Sequence, residues 1–202
     1  KSLSEIAGTA SVLIAGELMS GVNKGNGLLF GNIGGVPPTS VVILGAGTVG
    51  EFAARTAIGL GARVKVFDNS ISKLRRLQQC LNTPIYTSTV QPKSLAKALM
   101  RCDVAIGAIR GENRSPIIAT EPMIESMKEG AVIVDVSIDR GGCFETSNIT
   151  THKTPTFIKH GVVHYCVPNI PARYARTASV SISNIFTPYL LNIAEKGGFE
   201  NT

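Results

Sequence analysis

Short apolar runs alternate with stretches of helical periodicity through most of the chain. Val41-Val42-Ile43-Leu44-Gly45 is too short for a helix and reads as a buried strand over 41–45. Similar runs predict strands over 63–68, 84–88, 103–108, 131–136 and 162–167. The intervening segments predict helices over 48–60, 70–81, 92–101 and 121–128. Ser70 and Thr120 can cap two of them, and Pro92 falls in the first turn of a third. Regular alternation of strand and helix, with strands apolar on both faces, predicts an α/β domain built on a doubly wound parallel sheet.

The two ends depart from this rhythm. Residues 4–20 read as a helix capped by Ser4, with Ile6, Ala7, Ala10, Val12 and Leu13 at helical spacing and Gly21 as its stop. Gly25 to Pro38 is rich in Gly and Pro and reads as a crossing linker. Residues 140–160, with Gly141-Gly142 and Thr154-Pro155, read as a long loop. Residues 175–196 are helical again, with Ile182, Ile185, Phe186, Tyr189, Leu190 and Ile193 on one stripe and Gly197-Gly198 as the stop. Pro188 predicts a kink or break near 184–187. The organisation expected is a leading helix and linker over 1–36, the α/β domain over 37–174 and an exit helix over 175–202.

The first strand empties into Gly45-Ala46-Gly47-Thr48-Val49-Gly50, a Gly-x-Gly-x-x-Gly turn that opens a helix. Gly45 suits a tight turn, Gly47 a close approach of backbone to a pyrophosphate, and Gly50 close packing of helix on strand. A helix start offers free N–H groups and partial positive charge to phosphates. The competing reading is a glycine-rich turn without a ligand. Asp68 ends the second strand eighteen residues beyond Gly50. A carboxylate there can accept from a pair of ribose hydroxyls and repels a 2′-phosphate, which selects NAD over NADP. Lys73 can reach the ribose or phosphate or simply face solvent. Asp139 and Asn169 follow the carboxyl ends of two further strands, where ligands bind in open α/β sheets. Asp139 is equally readable as a loop cap.

With 202 residues the chain can bury a sizeable core, and no apolar run is long enough to span a membrane. The first residues carry neither an initiator Met nor a signal-peptide pattern, which makes a piece of a longer protein the expectation. Net charge is +6, but the basic residues are scattered without interleaved aromatics, against nucleic-acid binding. Cys80, Cys102, Cys143 and Cys166 have no paired spacing and read as reduced thiols. His160 and His164 are spaced like half a zinc site but lack cysteine partners, and read as structural.

Four segments occur together in order. They are Ser4-Glu5-Ile6-Ala7-Gly8, the Gly45 turn, the stretch from Val134 through Ile138-Asp139-Arg140-Gly141-Gly142-Cys143 to Ser147, and Gly161 through Val167-Pro168-Asn169-Ile170-Pro171. Together they resemble the alanine dehydrogenase and pyridine nucleotide transhydrogenase family over essentially the whole chain. The resemblance implies a Rossmann-type NAD-binding domain with N- and C-terminal linking helices. It implies oxidative deamination of L-alanine to pyruvate and ammonia, with NAD as acceptor, in a cytoplasmic homo-oligomer.

Carried over by motif, Ser4, Thr48, Asp68, Lys73, Ile109, Asp139, Asn169 and Ile170 would line the cofactor site. Gly45, Ala46, Gly47, Val49 and Gly50 of the turn, with Val136, Ile138 and Val167, complete the set. Asp139 would be the catalytic carboxylate, and no metal is implied. Asn148 stands where some relatives have an arginine. The family's catalytic lysine and histidine, and the arginine that binds the substrate carboxylate, belong to a substrate domain whose N-terminal part is missing from these residues. The chain is therefore expected to bind NAD and to meet its small amino-acid substrate only through that domain. The sequence at Asp139 favours the dehydrogenase branch over a transhydrogenase alpha subunit, which would act in a membrane complex. A reading of another class is a non-catalytic nucleotide-binding or assembly module, held through its apolar linking helices.

Overall fold

The computed structural model describes residues 1–111 and 113–196. The apolar runs pair edge to edge in one sheet. β1 (Ser40–Leu44), β2 (Arg63–Phe67), β3 (Tyr86–Ser88), β4 (Val104–Gly107) and β5 (Val132–Asp135) are joined by β6 (Thr156–Lys159) and β7 (Val162–Tyr165). The order is β3-β2-β1-β4-β5-β7-β6, and every pair is parallel except β6 with β7. Ile43 of β1 sits between Val66 of β2 and Ile106 of β4. From β1 the chain first builds outward to β2 and β3, then returns to β4 on the other side. That reversal opens a crevice at the carboxyl ends of β1 and β4.

Successive strand residues face opposite sides, so each apolar run feeds two cores. Val41, Ile43, Val66, Ile106 and Val134 pack with α1 (Ser2–Leu18), α2 (Thr48–Gly59) and α3 (Ile71–Leu81). Val42, Leu44, Phe67, Ala105 and Ile133 pack with α4 (Pro92–Leu99) and α5 (Glu121–Glu125). Helices on both faces of a mostly parallel sheet are the doubly wound arrangement expected. α6 (Ala175–Glu195) then runs away from the sheet, with Ile182, Ile185, Phe186, Tyr189 and Leu190 exposed. Among the described residues no helix is long and apolar enough to cross a membrane.

Three details differ from the sequence expectations. The loop over 140–160 contains a strand, β6, which pairs antiparallel with β7. Its four residues are mostly half-buried and carry only two apolar side chains, Phe157 and Ile158, too little for a periodicity signal. His160 and Gly161 join the two strands with φ of 53° and 72°, as a tight hairpin turn requires. His164 in β7 is buried, stacks on Phe157 and bonds Thr146 Oγ1 at 2.8 Å. Burial lowers its pKa to about 4, and its Nδ1 lies 2.9 Å from the Val162 carbonyl. A neutral ring that donates from Nδ1 and accepts from Thr146 satisfies both contacts. His160 instead meets Glu121 Oε1 at 2.7 Å, so the two histidines serve different contacts.

Second, α1 begins at Ser2 with Lys1 in the capping position, so Ser4 lies inside the helix and caps nothing. Third, α6 is unbroken through Pro188. The proline removes one N–H, but Asn184, whose carbonyl loses that partner, sits on an exposed part of the helix where water can take its place. The Gly197-Gly198 stop lies outside the described residues. Ser70 does cap α3 by accepting from Lys73 N–H, and all four cysteines are unpaired thiols.

α1 lies against α2 through small residues. Ala7, Gly8, Ala10, Ser11 and Ala15 are buried on α1, as Ala53, Ala54 and Ala57 are on α2. At Gly8 a methyl group would strike the Val49 carbonyl and come within 2.9 Å of Phe52 Cβ. At Gly16 it would meet only the Phe30 side chain, at 3.4 Å. Gly8→Ala should therefore cost about 1–3 kcal/mol by overpacking. Gly16→Ala should be neutral or stabilise by up to about 1 kcal/mol through helix propensity. Urea unfolding of the two variants checks this; equal effects would mean that the α1–α2 approach is looser than described.

Candidate functional site

The turn after β1 is shaped by what cannot fit beside it. Gly45 has φ of +113°, and a methyl group there would enter the Ala108 carbonyl. One on Gly50 would enter the Gly45 carbonyl. Helix α2 is thus pressed onto the end of β1 with only backbone between them. Gly47 is the N-terminal cap of α2 and supplies no side-chain acceptor, so the first-turn N–H groups keep their capacity for an outside partner. A methyl group on Gly47 would meet no atom within 4 Å, so open space lies beside the helix start.

Asp68 closes one side of this space. Its Oδ2 accepts from Ala46 N–H and its Oδ1 from Ser70 N–H, both at 2.8 Å. The carboxylate therefore ties the turn to the end of β2 as well as lining a cavity of about 170 Å³. Two carboxylate oxygens offer about four acceptor positions, so a pair of hydroxyls can still be received there. Gly47, Lys73 and Ile109 line the same cavity. Arg76, which the sequence reading passed over, braces the turn by donating to the Ala46 carbonyl at 3.2 Å and to Glu51 at 2.7 Å.

A second cavity, of about 320 Å³, lies between α1 and the carboxyl ends of β4 and β5. Ser4, Val49, Ile109, Val136, Asp139 and Asn169 line it. Both cavities include Ala108, Ile109 and Arg110, so they form one cleft across the crevice. Asp139 sits in the 3-10 turn Val136–Arg140 directly after β5. Its Oδ1 accepts from Asn169 N–H at 2.8 Å, which joins segments thirty residues apart. Asn169 has φ of 54° and ψ of 51°, a left-handed conformation that asparagine tolerates better than most side chains. An apolar groove of about 330 Å³ on the outer side of α1, lined by Ile6, Leu13, Phe52 and Tyr174, offers no comparable set of polar groups.

The structure thus gathers most of the sequence-selected residues into one cleft, but not all in the same way. Gly45, Ala46 and Gly50 form the turn, and Thr48 opens α2. Ile138, Val167 and Ile170 are buried side chains, so they can meet a ligand only through their backbone. Leu3, Ala7, Arg110, Ser137 and Arg140 also line the cleft and were not singled out. Three of them had a signal: Leu3 and Ala7 are neighbours of Ser4 on one helix, and Arg110 follows the carboxyl end of β4 as Asp139 follows β5. Among the described residues no group of His, Cys, Asp and Glu could hold a metal ion.

Residues 11–202 match the family described as alanine dehydrogenase/PNT, C-terminal domain. Alanine dehydrogenase 2 of Staphylococcus aureus (strain USA300) is 41% identical over 197 residues, which cover 96% of this chain and 53% of that protein. A solved L-alanine dehydrogenase superposes with a TM-score of 0.92 at 38% identity, over 97% of this chain and 55% of the other. A transhydrogenase from Sinorhizobium meliloti superposes at 0.80 with 24% identity, over 96% of this chain and 55% of the other, a likeness of fold. The chain spans about half the length of the relatives it matches.

Because Asp68 holds two backbone N–H groups, Asp68→Ala should lower stability even without a ligand, by about 1–2 kcal/mol for these half-buried bonds. Asp68→Asn, which keeps one acceptor oxygen, should lose less. Urea midpoints of both variants measure this, and an unchanged midpoint for the alanine variant would remove the structural role of the carboxylate.

Proposed function

Since this chain belongs to the alanine dehydrogenase/PNT C-terminal-domain family, we propose that it is the NAD-binding half of an NAD-dependent L-alanine dehydrogenase. The observation that carries the reading is the single cleft with a phosphate-suited helix start at its centre, Asp68 at one end and Asp139 with Asn169 at the other. Asp68 receives the adenosine ribose, and the first N–H groups of α2 receive the pyrophosphate at the open face of Gly47. The nicotinamide end then lies over Ile109, Val136 and Asn169, beside Ser4 of α1.

NAD supplies the hydride acceptor for L-alanine plus water going to pyruvate and ammonia. Asp139 stands at the exposed rim of that end, where its carboxylate can bind the substrate amine or hold the proton that leaves with it. The remaining groups that act on the substrate come from the other half of the longer protein. The exposed apolar side chains of α6 suit packing against that half or a second copy, consistent with a homo-oligomer. By itself the chain binds cofactor and leaves alanine unreacted.

Calorimetric titration tests the cofactor assignment. NADH should bind at least tenfold more tightly than NADPH, because the 2′-phosphate would lie against the Asp68 carboxylate. Asp68→Asn should narrow the ratio by weakening NADH and relieving the repulsion. Equal affinity for the two cofactors, or none for either by a folded protein, would overturn the reading.

A further inference from the structure

Asp135, the last residue of β5, is a fully buried carboxylate that the proposed chemistry does not use. No cation faces it. Its partners are instead groups of the following loop. Oδ1 accepts from Ser137 N–H at 2.9 Å, and Oδ2 accepts from Cys143 N–H at 2.9 Å and from Ser147 O–H at 2.7 Å. The Cys143 thiol lies 3.7 Å from Oδ1. Burial raises the Asp135 pKa, opposed by the Ser147 hydroxyl and the loop N–H groups.

Space has been kept for this carboxylate. A methyl group on Gly107 of β4 would strike its Oδ1, and one on Gly142 would come within 2.8 Å of its Oδ2. Both neighbours must be bare for the loop to close around it. The bonds define where the loop begins and ends: Ser137 N–H opens the 3-10 turn that carries Asp139, and Cys143 and Ser147 fix the return. Ser137 in turn receives Ile109 N–H on its Oγ at 3.0 Å, so the same loop fixes a second cleft residue. Asp139 lies between these anchors, bonded to Asn169 at the same end of the cleft.

We infer that Asp135 is a positioning residue. Its buried carboxylate holds the loop over 137–147 and thereby sets Asp139 at one end of the cleft, and Ile109 where its two cavities meet, without touching a ligand. This rests on the NAD-binding reading for the identity of that end, as the nicotinamide end. A carboxylate serves here because one oxygen must accept from both a backbone N–H and a hydroxyl while the other accepts a third proton. An amide nitrogen cannot do that.

Asp135→Asn tests the inference, with Ser147→Ala as a milder variant that removes only one of the bonds to the carboxylate and should remain folded. NADH and ADP are titrated against each; ADP carries only the adenosine and pyrophosphate. NADH affinity should fall about tenfold in Asp135→Asn and two- to threefold in Ser147→Ala, while ADP affinity stays within twofold. The Asn169 amide resonance, which reports its bond to Asp139, should move in both variants without any nucleotide. Unchanged NADH affinity with an unmoved Asn169 amide would overturn the inference. So would a parallel loss of NADH and ADP, which is the mark of a general structural role. If the unsubstituted chain bound neither nucleotide, the NAD reading would fall and the Asn169 resonance alone would decide the role of Asp135.

Discussion

The backbone contact between Gly45 and Gly50 is the constraint on which the cleft depends. No side chain separates the end of β1 from the first turn of α2, so the helix start is held at the crevice where strand order reverses. Gly8 extends the same close approach to α1, which sits against the Val49 carbonyl and brings Ser4 to the cleft. A side chain at any of these three positions would push a helix outward. The N–H groups would then no longer converge on the open face of Gly47.

Carboxylates fix the rest of the site, each by accepting backbone N–H groups. Asp68 takes those of Ala46 and Ser70, Asp139 takes that of Asn169, and Asp135 takes those of Ser137 and Cys143. Hydrogen bonds to an ionised acceptor are about twice as strong as neutral ones, which suits loops that have no sheet to hold them. The two carboxylates at the ends of the cleft therefore have a double task, because the groups available to a ligand also maintain the loops that present them. Loss of such a carboxylate changes geometry as well as chemistry.

The parallel sheet was legible because its strands are buried on both faces and read as continuous apolar runs, as in Val132-Ile133-Val134. The glycine turn and Asp68 were legible because their spacing is set by backbone geometry. β6 was not, since an edge strand with two apolar residues has no period to detect and its turn, His160-Gly161, is not a common hairpin pair. Pro188 misled because the rule against proline in helices concerns a lost hydrogen bond, whose cost falls on an exposed helix. Ser4 was selected as a cap and by resemblance; only its place in the cleft survives, and that place depends on how α1 crosses the sheet. Asp135 was quoted within a motif but gave no local sign of its task, because its partners lie up to twelve residues away.

The central claim is that one dinucleotide lies along the cleft from Asp68 to Asp139. Backbone amide mapping by NMR during NAD titration tests it most directly. The account predicts coincident, saturating shifts at Gly47, Thr48 and Val49, at Ile109 and at Asn169, with the β6–β7 hairpin unmoved. Shifts confined to the groove between α1 and Tyr174, or a helix start at Thr48 that does not respond, would contradict it.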